Sequence, residues 1–128
     1  MNKFTWVQIA ALSGFLCVAI GAFAAHGLKH ILDAYALGII DTGIKYQMFH
    51  TLVLLILPFL AEKLEFSFNF IGWAFVTGIL LFSGSLYALA MTGIKGFAFL
   101  TPIGGTIWLF AWITLAVKVG TKKKITNV

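Results

Sequence analysis

Four stretches of the chain contain no Asp, Glu, Lys or Arg: Phe4–Leu28, Tyr46–Ala61, Phe66–Ile94 and Gly96–Val117. A hydrocarbon core about 30 Å thick is crossed by roughly 20 helical residues rising about 1.5 Å each. The first, third and fourth runs reach that length unaided. The second has only 16 residues, so its helix is predicted to begin before Lys45, whose aliphatic stem can lie along the helix while its ammonium reaches the interface. The pattern therefore predicts four spans, near 5–26, 43–62, 69–92 and 98–118. In the first connection, LKHILDAYALGIIDTGIK, the residues Ile31, Leu32, Tyr35 and Ile39 share one arc at the helical spacing, opposite Lys29, Asp33 and Asp41. That periodicity predicts a short amphipathic helix lying in the interface between spans one and two. The connections EKLEFSFN and TGIKGF are short, which suits antiparallel neighbours. The fold class predicted is all-α: an integral membrane, four-helix up-down bundle forming one domain over 1–121, with a basic tail over 122–128.

Composition strengthens this reading. Hydrophobic residues make up 61% of the 128 and charged residues 10%, against about 25% charged in soluble domains, and a soluble protein this small has no interior large enough for so much apolar surface. Lys3, the apolar run and Ala22-Phe23-Ala24 imitate a signal peptide with a small-residue cleavage site; the expectation is that the segment is retained as the first span. The single cysteine, Cys17, falls mid-span and is expected to be a buried thiol. The net charge of +5 owes much to Lys122, Lys123 and Lys124, which suit anionic lipid headgroups just after the last span. There is no arginine, and without its planar fork a nucleotide or nucleic-acid site is disfavoured. Four spans put both termini on one side, with Lys3, Lys63, Lys118 and the three tail lysines; Lys29, Lys45 and Lys95 lie on the other. Lysine excess marks the cytoplasmic side, so both termini are expected there, in an inner or plasma membrane.

The polar residues within the spans fall at one depth once the helix directions alternate. His26 ends the first span, Tyr46, Gln47 and His50 open the second, Ser83, Ser85 and Tyr87 lie late in the third, and Thr101 begins the fourth. An amide or imidazole in hydrocarbon needs a hydrogen-bond partner, so these side chains are expected to turn inward and form a polar layer. On an unbroken first helix His26 would point away from the bundle; it joins the layer only if Gly27 ends the helix and swings the ring inward. A stripe of small residues in the first span, Ala10, Ser13, Gly14, Cys17, Gly21, Ala24 and Ala25, and Gly84, Gly104 and Gly105 later in the chain are candidates for close helix packing. Trp6 and Trp73, at the inner ends of their helices, read as interface anchors.

Four separated motifs, AFAAHGLK, KYQMFHTL, GILLFSGSLYAL and TPIGG, resemble in order and spacing the small four-helix membrane family known as domain of unknown function 423. The likeness runs to about Val117. It implies a bacterial inner-membrane protein, and its motif positions include His26, Tyr46, Gln47, His50, Ser83, Tyr87, Thr101, Gly104 and Gly105; it implies no catalytic role.

The sequence thus favours a non-catalytic, structural or accessory membrane protein with no cofactor and no metal. Its expected partners are membrane lipids, with a homo-oligomer or a membrane protein partner as the other candidates. An oligomeric carrier of a small molecule or ion, using the polar layer, is the competing class. Haem or quinone binding at His26 and His50 is a third, weakened by the absence of any carboxylate inside a span. Ser83 or Ser85 paired with a histidine lacks the acid that would orient a hydrolytic base.

Overall fold

A computed structural model of the protein describes the backbone of residues 1–126 and the side chains of residues 1–122. Four long helices run through it: α1 Lys3–His26, α2 Ala34–Lys63, α3 Asn69–Thr92 and α4 Leu100–Thr126. All four are long and apolar enough to cross a membrane.

Local chemistry sets their ends. The Asn2 side chain accepts from the Thr5 amide at 2.9 Å and opens α1, and Asp33 does the same for α2 through the Ala36 amide at 2.8 Å. Gly27 does not stop α1 in the left-handed conformation; it stays right-handed (φ −93°) and the chain tightens into a 3₁₀ turn over Leu28–His30. The left-handed stop lies at the end of α3, where Gly93 has φ +69° and returns its N–H to the Leu89 carbonyl.

The separate interfacial helix expected between spans one and two is not formed. Its residues from Ala34 onward are the first turns of α2, which continues unbroken for 30 residues, about 45 Å at 1.5 Å per residue and so longer than the hydrocarbon core. Protein covers only part of the predicted apolar side: Leu32 and Ile39, with Ala36 and Leu37, pack around Leu28, Ile40 and Ala90, while Ile31 and Tyr35 stay exposed.

Most buried positions on α2 repeat at 40, 43, 47, 50, 54, 57 and 61, with Thr51 and Pro58 buried beside them; the alternating steps of three and four are the 3.5-residue period of helices that wrap one another. α2 is accordingly the central helix. In its most apolar stretch 39% of residues are buried, against 11% for α1 and 17% for α4, which are the more exposed helices. α1 runs along α2, and α4 runs along α3. At the end holding the termini, Trp6 is fully buried rather than anchored in the interface. Its indole N–H donates to Asn69 Oδ1 at 3.0 Å and its ring lies on Gly72. A main core forms at this end around Trp6, Leu54, Leu57, Ile71, Phe75, Trp108 and Ala111, and a smaller one around Leu28, Ile40 and Ala90 at the other.

Midway, α3 widens into a π-helical turn over Ile79–Ser83, flanked by Gly78 and Gly84. α4 presses on this turn from both ends. Trp108 sits against Gly78 and donates its N–H to the Phe75 carbonyl at 3.1 Å, while Gly104 lies so near the backbone of Leu81 and Phe82 that there is no room for a Cβ.

Candidate functional site

The polar groups predicted inside the spans lie between the two cores, but they form three groups instead of one layer. The first ties α1, α2 and α3 together. Gln47 is buried on α2; its Nε2 donates to the Ser13 carbonyl at 3.1 Å and to Ser13 Oγ at 3.2 Å, and its Oε1 accepts from the Tyr87 hydroxyl at 2.7 Å. Ser13 Oγ also shares a 2.6 Å hydrogen bond with Thr51 Oγ1. Both ends of one amide are thus spent on two different helices. The Tyr87 ring can reach Gln47 because it lies over Gly43, where a Cβ would stand 2.7 Å from Tyr87 Cε1.

The second group joins α2 to α4 through His50. Its Nδ1 is 2.8 Å from the Tyr46 carbonyl and its Nε2 is 3.2 Å from Trp112 Nε1. Since an indole N–H only donates, Nε2 must offer its lone pair, which puts the proton of a neutral ring on Nδ1, aimed at the carbonyl. The ring stacks on Trp108 with centroids 3.7 Å apart and planes 7° from parallel, and meets Phe49 edge-on at 5.2 Å. With both nitrogens engaged and one face stacked on Trp108, His50 has no lone pair left for a metal or haem iron.

Hydroxyls make the third group. Ser83 donates to the Gly43 carbonyl at 2.7 Å, and Ser85 shares a 2.6 Å bond with Thr101 Oγ1 while reaching the Phe82 carbonyl at 2.9 Å. These contacts join α3 to α2 and to α4 beside the π turn. Cys17, buried on α1, points its thiol at the Ile44 carbonyl at 3.4 Å.

Two residues do not take the expected place. His26 is exposed at the end of α1, outside all three groups, because Gly27 remains helical and does not turn the ring inward. Tyr46 gives the layer its carbonyl and not its hydroxyl; its side chain is half exposed and packs against Phe82 at 4.7 Å. His26 and His50 therefore face no common site. Among the described residues, no buried side-chain nitrogen or oxygen lacks a hydrogen-bond partner, and no group of three or more His, Cys, Asp or Glu converges as metal ligands would.

The glycines divide sharply. At Gly104 a Cβ would meet Phe82 N at 2.5 Å, whereas Gly14, Gly21 and Gly105 leave ordinary contacts of 3.7, 3.8 and 3.6 Å, and Gly84 meets only the Ile79 carbonyl at 4.0 Å. Gly43 and Gly72, where aromatic rings lie on the backbone, were missed. The 3.5-residue spacing of Gly43 from Gln47 and His50 was the available signal for the first, and the depth Gly72 shares with Trp6 was the signal for the second. Ser13, Thr51 and Trp112 were missed as partners because hydroxyls and indoles in a span carry no mark of which neighbour they face. Of the lysines assigned to lipid headgroups, Lys122 is half-buried; the side chains of Lys123 and Lys124, and residues Asn127 and Val128 of the tail, lie outside the described residues.

Beside the first group a cleft of about 320 Å³ runs along α1 and α3, with Ser13, Gln47 and Tyr87 at its floor and Leu12, Leu16 and Leu80 at its rim. Its walls are aliphatic and its polar floor is satisfied internally, so it offers shape to a hydrocarbon chain but no free polar group to an ion.

The family described as "Protein of unknown function (DUF423)" matches residues 20–105. The chain is 52% identical over 114 residues to a UPF0382 membrane protein of Haemophilus influenzae, covering 89% of this chain and 92% of that one. It is 42% identical over 109 residues to the UPF0382 inner membrane protein YgdD of Escherichia coli, covering 84% and 83%, and 40% identical over 114 residues to the UPF0382 membrane protein YwdK of Bacillus subtilis, covering 88% and 93%. No solved structure matches the chain.

Proposed function

From the premise that the chain belongs to the DUF423 family of multi-pass cell-membrane proteins, we propose that it is a non-catalytic, accessory membrane protein whose internal polar groups serve to fix its helices. The observation that carries this is the complete internal satisfaction of those groups: each end of the Gln47 amide and each nitrogen of His50 is bonded within the bundle. A reaction centre or ion path needs polar atoms aimed at something other than the protein. The exposed apolar surface that remains for interaction includes the outer face of α1, with Leu12, Phe15 and Val18, and that of α4, with Leu109, Phe110 and Ile113.

The test is spectroscopic and elemental analysis of protein purified in mild detergent, beside His50→Ala. No Soret band and no stoichiometric metal are expected, and His50→Ala should lower thermal stability only. A chromophore or metal present in the wild type and lost in His50→Ala would replace this reading with one of cofactor binding.

A further inference from the structure

At the end of the bundle away from the termini, a pocket of about 420 Å³ opens between the start of α2 and the end of α3. Its apolar wall includes Ile39 and Leu89, and its rim carries one charge of each sign, Asp33 and Lys95. We propose that this pocket holds the headgroup and upper chain of an ethanolamine phospholipid.

Three features select that ligand. Asp33 spends one carboxylate oxygen on the Ala36 amide at 2.8 Å, and the exposed carboxylate has no ion pair among the described residues, so its negative charge is available to a cation. The same rim joins the last turn of α3, closed at Gly93, to the first turn of α2; the carbonyl end of the one favours positive charge and the amide end of the other negative charge, which suits a zwitterion. Lys95 carries no ion pair among the described residues, so its ammonium is available to a phosphate oxygen. A primary ammonium can donate hydrogen bonds to the carboxylate and to helix carbonyls; a choline headgroup has no N–H to give and would need a cage of aromatic rings, for which the rim supplies only Tyr35. A glycerol headgroup offers Asp33 no charge. Beside the charged rim the wall is aliphatic, with Ile31, Leu32, Ile39 and Leu89, so a lipid with its chain attached gains where a free headgroup does not.

The experiment is thermal unfolding of the purified full chain in mixed micelles containing phosphatidylethanolamine, phosphatidylcholine or phosphatidylglycerol of identical acyl chains, with free phosphoethanolamine as a fourth arm. Phosphatidylethanolamine should raise the midpoint in a saturable way, and more than the other three. Lys95→Ala and Asp33→Asn should each weaken its apparent affinity about tenfold, the loss of one charge-assisted hydrogen bond. Asn keeps the capping oxygen of α2, and Lys95 is exposed, so both variants should fold as the wild type does; if Asp33→Asn does not, Lys95→Ala decides alone. Equal shifts with the three lipids, a larger shift with phosphatidylglycerol, equal binding of free phosphoethanolamine, or unchanged affinity in Lys95→Ala would each overturn the assignment.

Discussion

A methyl group is the smallest addition a glycine can receive, and here its consequence depends on what lies opposite. At Gly104 the neighbour is the backbone at Phe82, which cannot swing away, and at Gly78 it is the Trp108 indole, held by its bond to the Phe75 carbonyl and by its stack on His50. Gly104→Ala and Gly78→Ala are therefore expected to cost about 1–3 kcal/mol each through overpacking. Gly14→Ala meets only the end of the Thr51 side chain at 3.7 Å and should be neutral or stabilising by up to about 1 kcal/mol, since alanine is the better helix former. Thermal or denaturant unfolding in one detergent would compare the three. Equal effects would mean that helix propensity, not contact, governs these sites. This ordering also amends the reading of the small-residue stripe on α1. Gly21 faces Ile44 Cδ1 at 3.8 Å, so it lets the helices lie close without being the point at which they touch hardest.

Between helices, the unit of cohesion is a side chain that spends two polar atoms on two neighbours. Gln47 links α1 to α3 in this way and His50 links its own helix backbone to α4. Hydrogen bonds of this sort in membranes average about 0.6 kcal/mol, so coupling is a better probe than single losses. The Gln47→Leu and Tyr87→Phe pair should show non-additivity of about 0.5 kcal/mol or more in unfolding free energy, while His50→Ala and Tyr87→Phe should add, because those two residues belong to different groups. Additivity of the first pair would mean that the α2–α3 bond does not form in solution. Four spans, their order and the polar depth were legible in the sequence, since a charge-free run of span length admits few alternatives in lipid. The division of the polar residues was not, because depth follows from residue number while azimuth depends on phase. The π turn over Ile79–Ser83 shifts that phase within α3, and only the glycines at its ends mark it in the sequence. The lost interfacial helix has a related cause: periodicity shows that a segment has an apolar side, but not how much of it protein will cover, and here Leu32 and Ile39 pack against protein while Ile31 and Tyr35 do not.

For the molecule as a whole, four spans place both termini at one end, and the two ends differ in charge. The terminal end holds Lys3, Lys63, Lys118 and Lys122–124, the opposite end Lys29, Lys45 and Lys95. Some of these lysines are engaged in the fold. Lys3 pairs with Glu62 at 2.9 Å, Lys118 donates to the Ser67 carbonyl at 2.9 Å, and Lys45 pairs with Asp41 at 2.7 Å. Pairing does not remove them from the argument, because orientation is set during insertion by lysines near the span ends, and acidic residues contribute little to it. The bias predicts cytoplasmic termini. A cysteine appended to the C-terminus should react with an impermeant maleimide only after the cells are permeabilised, and Cys17, buried mid-span against Ile44, should stay silent in both conditions. Labelling of intact cells would invert the protein. The outcome also assigns a leaflet to the pocket at Asp33 and Lys95, because it lies at the end away from the termini: with the termini inside, its lipid must be drawn from the outer leaflet.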